Sequence, residues 1–435
     1  MSVEIIMGNE RPQAKNRIEM LDVLRGFALL GILLMNILGF GMVYHAYANP
    51  GFDLTSALSL NKVVWVGMEL TVEGAMRALF SILFGAGVLL FTTGDSAKSA
   101  GTHYRRMFWL LLFGLFDAFI LLWSGDILIT YAIAGCLLFL IKRWSPRALL
   151  ICTGILLLIT SLLHGATNMG LAKTQIAYEQ VEAAANTETL PGKVRNDAMI
   201  WEEVLADAAP DQTAINDEIA QRGGSYASAF AWNAEKMQEI LLYGVPLFLI
   251  WDVLIMMLLG MYLFRIGVLQ GDRSPAFYKR LALVGFALGL AINAYEISAA
   301  HASQFSLLST LPQMQMTYHW GRLGMALGYI GLFGWLCHSD LGTALKTAFA
   351  AVGRMALTNY LLQSAMCLMI FTGLGFGLVG TLQRATLYVI VALIWLAQIT
   401  FSLWWLARFR FGPVEWLWRY LTYGKADGRK QFYIL

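Results

Sequence analysis

Arg105-Arg106-Met107-Phe108-Trp109-Leu110-Leu111-Leu112-Phe113-Gly114-Leu115-Phe116-Asp117-Ala118-Phe119-Ile120-Leu121-Leu122-Trp123-Ser124-Gly125-Asp126-Ile127-Leu128-Ile129-Thr130-Tyr131-Ala132-Ile133-Ala134-Gly135-Cys136-Leu137-Leu138-Phe139-Leu140-Ile141-Lys142-Arg143 is a pair of apolar runs held between two pairs of cations. A helix needs about 20 apolar residues to cross the hydrocarbon core of a bilayer. The two runs, 107–124 and 126–141, turn back on each other at Ser124-Gly125-Asp126. Lys and Arg collect on the cytoplasmic side of membrane segments. Both ends of this hairpin therefore belong inside and its turn, with Asp126, outside.

The pattern extends in both directions. Further apolar runs fall near 27–45, 73–93, 148–165, 241–263, 281–298, 319–337, 352–372 and 385–406, and the second can start as early as Val63, which would add an interfacial helix. Arg11, Lys15, Arg17 and Arg25 precede the first run, Lys98, Arg105 and Arg106 follow the second, and Lys142, Arg143 and Arg147 follow the fourth. Arg265, Arg273, Lys279 and Arg280 follow the sixth, Lys346 and Arg354 the eighth, and Arg408, Arg410, Arg419, Lys425, Arg429 and Lys430 the tenth. The alternate short loops are nearly free of positive charge. A miscount would break this alternation. The reading is an all-α, polytopic transmembrane bundle of about ten helices in an inner membrane, with both termini in the cytoplasm.

Composition agrees. Of 435 residues, 58% are hydrophobic and only 14% charged, against about 25% charged in soluble chains. The net charge of +3 conceals a split: 170–239 holds 5 Lys/Arg against 12 Asp/Glu, a net of −7, which leaves +10 on the other 365 residues. The basic excess is scattered over short loops rather than gathered on one face, which argues against nucleic acid. The first run exceeds the roughly 7–15-residue apolar core of a signal peptide, so Ala46-Tyr47-Ala48 is not read as a cleavage site. Cys136, Cys152, Cys337 and Cys367 all lie in apolar runs without metal or disulfide spacing. The chain then divides into a cytoplasmic segment 1–26, helices one to five over 27–165, an acidic outer insert with helical pieces over 166–240, helices six to ten over 241–406, and a cytoplasmic amphipathic tail 407–435.

Ionisable groups within a membrane are costly, so each is a candidate for function. The topology puts His45, Glu73, Arg77, Asp117, His164, Asn293, Glu296, His319 and Arg322 in the outer halves of their segments, Asp126 in an outer turn and Asp252 near mid-depth. A polar cavity open to the outside follows. Glu69, Glu73 and Arg77 share a helix face at i, i+4 and i+8, and Asn293/Glu296 and His319/Arg322 are i, i+3 pairs. Asn359 and Gln363, flanked by Tyr360 and Ser364, are an i, i+4 pair whose plainer reading is interhelical glue. Asn36, Glu73, Arg77, Asp252, Arg322, Asn359, Tyr360 and Gln363 are the candidate substrate-binding residues. His45, beside Tyr44, stands where a neutral imidazole could take a proton, although a helix-end histidine is more often simply solvated. On the inner side, Arg17, Asp22 and Arg25 precede a helix start, a place suited to a phosphate-bearing group.

Three stretches carry a resemblance. Arg17-Ile18-Glu19-Met20-Leu21-Asp22-Val23-Leu24-Arg25-Gly26-Phe27-Ala28 with Gly31, Ile32 and Asn36, then Gly353-Arg354-Met355-Ala356-Leu357-Thr358-Asn359-Tyr360-Leu361-Leu362-Gln363-Ser364, then Gly412-Pro413-Val414-Glu415-Trp416-Leu417-Trp418-Arg419, resemble in order the signatures of the YeiB-like family, a domain-of-unknown-function family (418) of bacterial membrane proteins. That family is similar to transmembrane acyltransferases of the heparan-glucosaminide N-acetyltransferase kind, which share the Asp-x-x-Arg-Gly opening matched by Asp22, Arg25 and Gly26. His45-Ala46-Tyr47-Ala48-Asn49-Pro50-Gly51 partly matches the context of their catalytic histidine; Ala48 stands at the Trp position and a proline is inserted.

The resemblance implies acyl transfer from cytoplasmic acyl-CoA to an outer hydroxyl or amine, with His45 as base and Asp117, Glu296 or His319 orienting it or the acceptor. Arg17, Asp22 and Arg25 would hold the donor; no metal is expected. The expected partners are membrane lipid and a small-molecule, glycan or lipid acceptor, not nucleic acid, with a homodimer as an open alternative. The rivals are a secondary transporter of a small polar or anionic solute, which also needs buried ions and a cavity at mid-depth, and a membrane scaffold that binds a partner through the insert.

Overall fold

The computed structural model describes residues 19–50, 54, 59–94, 97–311 and 314–424. Arg17 and the last residues of the tail lie outside them. The described chain is helical, with no strand.

The order is α1 (Glu19–Gly41), the short α2 (Tyr44–Ala48), α3 (Leu60–Thr71), α4 (Ala75–Thr92), α5 (Ala100–Phe119), α6 (Leu128–Ile141) and α7 (Pro146–Ala183). The insert supplies α8 (Gly192–Ala208), α9 (Gln212–Gly223) and α10 (Tyr226–Glu239). A π-helical segment, Ile240–Leu249, joins α10 to α11 (Ile250–Arg265). Then come α12 (Pro275–Ala302), α13 (Leu307–Thr310), α14 (Tyr318–Cys337), α15 (Thr343–Arg354), α16 (Ala356–Phe371), α17 (Arg384–Leu406) and α18 (Pro413–Tyr423). Local chemistry sets many of these boundaries. Ser145 and Ser274 each accept a backbone N–H at the start of α7 and α12, with a proline next in line, the arrangement that caps a helix and pre-sets its first turn. Gly74, at φ +60°, separates α3 from α4.

Each of the ten apolar runs contains a helix. Six helical stretches are long and apolar enough to cross a membrane: Glu19–Gly41, Leu60–Thr92, Pro146–Ala183, Tyr226–Arg265, Pro275–Ala302 and Arg384–Leu406. Leu128–Ile141 and Ala356–Phe371 are apolar but shorter. The remaining two, α5 and α14, carry charge within their length, Arg105, Arg106 and Asp117 in one and Arg322 in the other.

Several boundaries differ from the sequence reading. α7 runs on to Ala183, well past the apolar run ending at 165, because the Ala-, Gln- and Glu-bearing residues that follow are good helix formers. The sixth run is the second half of a continuous Tyr226–Arg265 stretch, so the insert enters the bundle without a loop. α1 is already helical at Glu19. Arg25 therefore lies past its first turn, where backbone N–H groups are taken up within the helix, and the free donors expected at Arg25-Gly26 are not there.

The burial pattern is that of a protein in lipid. Leu283, Val284 and Leu288 on α12 and Val389, Leu393 and Leu396 on α17 are exposed, while Asn359, Gln398 and Ser402 are wholly buried. α1 runs through the middle of the bundle against α4, α14, α15, α16 and α17. Its crossing with α15 is tight: a Cβ at Gly26 would sit 1.9 Å from Phe349 O, and one at Gly353 2.0 Å from Asp22 O. Small residues that let backbones touch are how membrane helices pack closely. Two of the sequence signatures therefore meet at one crossing. The third joins them: Glu415 of α18 accepts from the N–H groups of Leu357 and Thr358, at 2.6 and 3.0 Å, and from Thr358 Oγ1 at 2.5 Å. The amphipathic tail helix caps α16 at its start.

Candidate functional site: a polar cavity on the insert side of the bundle

At α3–α4 the chain breaks inside the bundle, which leaves backbone carbonyls to be satisfied. Asn293 Nδ2 donates to Leu70 O at 3.0 Å and Tyr329 to Thr71 O at 2.8 Å. The break turns Glu73 and Arg77 toward a cavity of about 560 Å³, within the roughly 300–1,000 Å³ range of small-molecule sites. α3 contributes Trp65 and Glu69, α7 His164, α11 Trp251 and Asp252, α12 Asn293 and Glu296, and α14 Tyr318, His319 and Arg322. Tyr44, Tyr47 and Pro50, in and just after α2, form another wall.

Asp252 organises the charged end. Its Oδ2 lies 3.1 Å from Arg77 Nε, its Oδ1 pairs with Arg322 Nη2, and His319 Nδ1 is 3.6 Å from Oδ1. Arg322 Nη2 also reaches His319 Nδ1. A guanidinium can only donate, so Nδ1 accepts and the neutral ring carries its proton on Nε2. His319 Nε2 and Arg322 Nε and Nη1 are buried and have no hydrogen-bond partner among the described residues. Acceptors stand elsewhere in the same cavity. Tyr318 accepts from Arg77 Nη2 at 2.8 Å and donates to Glu73 Oε1 at 3.0 Å, and Glu296 Oε1 accepts from Thr317 Oγ1 at 2.5 Å. Four carboxylates (Glu69, Glu73, Asp252, Glu296) face two guanidiniums (Arg77, Arg322).

Of the residues singled out in the sequence, Glu73, Arg77, Asp252, Glu296, His319 and Arg322 come together here, as do His164 and Asn293. Others do not. His45 lies on α2, but its ring faces the insert, with Nδ1 3.7 Å from Glu218 Oε2 of α9. It is not a lining residue, although its neighbours Tyr44 and Tyr47 are. Asn36, on α1, does not line the cavity. Asn359 and Gln363 form a buried ladder with α17: Asn359 Nδ2 donates to Ser402 Oγ at 2.9 Å and Gln363 Nε2 to Gln398 Oε1 at 3.1 Å. This is the glue geometry. Tyr360 and Asp117 belong to a separate buried cluster with Asp126.

The sequence reading missed several residues. Glu69, Glu73 and Arg77 share no continuous helix face, because α3 ends at Thr71 and α4 begins at Ala75, yet all three line the cavity, Glu69 among them although it is not one of the candidate site residues. Glu218 and Arg222 of α9 hold the end of α1: Arg222 donates to the carbonyls of Gly39, Phe40 and Met42 at 2.6, 3.0 and 2.8 Å, and Glu218 accepts from Tyr44 N at 2.8 Å. Arg384, buried at the start of α17, donates to Ala46 O at 2.9 Å. Arg384 had one visible signal: it is a cation on a flank otherwise nearly free of them.

On the opposite face, Asp22 pairs with Arg25 at 3.1 Å. Arg106 of α5 stacks over Trp418 of α18, 4.3 Å from its centroid, and lies close to both Arg25 and Arg419.

Fold and cavity together define an all-helical membrane protein with a charged site between its helices. The model of the family described as a protein of unknown function, DUF418, matches residues 263–425. The chain is similar to YeiB of Escherichia coli (strain K12), an uncharacterized protein, with 32% identity over 408 residues, 92% of this chain and 95% of that one. It is also similar to the uncharacterized YxaH of Bacillus subtilis (strain 168), with 30% identity over 427 residues, 96% of this chain and 97% of that one. A 39.9 kDa protein from the amylase 3′ region of Bacillus acidopullulyticus is 26% identical over 94% of each chain. No solved structure matches it. The chain belongs to the YeiB-like DUF418 family.

Proposed function

We propose that this protein is a multi-pass enzyme of the bacterial inner membrane that transfers an acyl group from cytoplasmic acyl-CoA to a hydroxyl- or amine-bearing acceptor bound in the cavity from the outside. The observation that carries the reading is the set of orphaned donors, His319 Nε2 and Arg322 Nε and Nη1, in a cavity that also holds carboxylates. Buried donors rarely go unpaired. Donors held in place and lacking an acceptor suit an oxygen that gains negative charge, as the carbonyl oxygen of an acyl group does when attacked.

The roles follow from the tautomer. His319 donates from Nε2 to the acyl oxygen, and Arg322 holds the ring in that state. The proton of the acceptor goes to a carboxylate, for which Glu296 is the residue we assign. It leaves with the departing thiolate. The general base is thus a carboxylate rather than His45. The acid excess of the cavity suits a neutral polyol or an amine and disfavours an anionic solute. On the inner face, Arg25, Arg106 and Arg419 gather from three helices with Asp22 as the only carboxylate paired to them among the described residues. That donor set fits the phosphates of the acyl donor, since guanidiniums bind phosphate well.

A second reading, solute transport, is favoured by the broken helices beside the cavity, at Gly74 and at the π-helical segment with Pro246 just before Asp252. One experiment separates them. Proteoliposomes are given labelled acyl-CoA on the Arg25 face and a panel of sugars, amino sugars and polyols on the insert face. Labelled product on the insert side is the expected result. Counterflow of a solute with no acyl product would replace the enzyme reading by transport.

A further inference from the structure

A second buried cluster lies between α5, the turn before α6, and α16, and shares no residue with the cavity. A Cβ at Gly114 would come within 2.8 Å of Asp126 Oδ1. Gly114 and Asp117 lie one turn apart on α5, so the Asp126 carboxyl rests against the face that carries Asp117. Neither acid makes an ion pair among the described residues. Tyr360, Ser364 and Cys367 of α16 stand around them, with the Trp123 indole beside the Tyr360 hydroxyl.

The two acids are treated unequally. Asp126 Oδ1 accepts from Ile129 N at 2.9 Å, and Oδ2 is 3.5 Å from the Tyr360 hydroxyl, which itself accepts from Ile127 N at 3.2 Å. These are the donors of a helix start, which favour a negative charge. Asp117 is 0% exposed, and no backbone N–H among the described residues reaches its carboxyl; what stands beside it is the Ser364 hydroxyl and the Asp126 carboxyl itself. Two adjacent carboxylates cannot both stay ionised away from water.

We infer that Asp117 and Asp126 form a buried proton-binding site in which Asp117 carries the proton and Asp126 the negative charge. The ligand is one proton, and the pair holds one net negative charge. This fits the unequal donors: the acid with backbone N–H groups keeps its charge, and the one without them takes the proton. A sodium ion held between the two carboxylates in place of the proton is a different site.

Infrared spectroscopy of the full chain in lipid at neutral pH tests it. The wild-type minus Asp117→Asn difference should show the loss of one protonated-carboxyl carbonyl band, sensitive to D2O, while Asp126→Asn keeps that band. Asparagine is close in shape to a protonated aspartic acid, so Asp117→Asn should fold. Should it not, isotope-labelled aspartate in the wild type gives the same reading: a shifted carboxylic-acid band supports the site, and its absence overturns it. Loss of an ionised-carboxylate band in Asp117→Asn, or disappearance of the acid band when sodium is added to the wild type, also overturns it.

Discussion

Asp252→Ala should leave little folded protein, while Asp252→Asn should fold and lose function. Asp252 is the shared counter-ion of Arg77 and Arg322 and lies 3.6 Å from His319. Arg322 is 2% exposed, so without the carboxylate its guanidinium stays buried and loses the one anion paired directly with it among the described residues. Breaking a buried pair in this way costs about 3–5 kcal/mol, a large part of a total stability of roughly 5–15 kcal/mol. Asparagine keeps an acceptor for Arg77 but not the charge that holds two cations together. Thermal unfolding in detergent with size-exclusion profiles reads both variants. An alanine variant that stays monodisperse and melts with the wild type would mean that Asp252 does not hold this cluster.

His319→Ala should reduce acyl transfer by about 10²–10³-fold, the usual loss when one donor to a developing oxyanion is removed. Folding should be largely kept, because Arg322 retains Asp252. His45→Ala should change turnover little, since its ring faces Glu218 rather than the cavity. Turnover by the two variants under saturating acyl donor is the measurement. Wild-type turnover in His319→Ala together with a large loss in His45→Ala would return the catalytic role to α2 and remove the oxyanion account.

The contrast between these two histidines shows what a sequence can convey. His319 was legible because depth along a membrane segment follows directly from helix rise and charged flanks, and because Arg322 is one turn away on the same face. The same reasoning placed Glu73, Arg77 and Glu296 in the outer halves of their segments and Asp252 near mid-depth, and the fold gathers them. Side-chain direction at a helix end is different. His45 sits in a five-residue helix whose orientation is fixed by Glu218 and Arg384, residues distant in sequence that no periodicity links to it. Asn359 and Gln363 had the right spacing for a site, but spacing does not say whether the facing helix offers Ser402 and Gln398 or an open space. α7 was cut short for a related reason: hydropathy marks where lipid ends, whereas the helix ends where capping and propensity end it. The inner signatures were recognisable as motifs, yet their common purpose, the crossing of Gly26 on Gly353 with Glu415 capping α16, depends on contacts between both ends of the chain.

The central claim is that the cavity receives its substrate from the outside. Glu296 lines it on α12, at its insert side. In a chain whose four cysteines are replaced by serine or alanine, Glu296→Cys tests the claim most directly. A membrane-impermeant maleimide added to intact cells should label it, and an acceptor that supports transfer should slow that labelling. Labelling seen only in inside-out vesicles, or labelling from outside that no accepted substrate slows, would contradict the account.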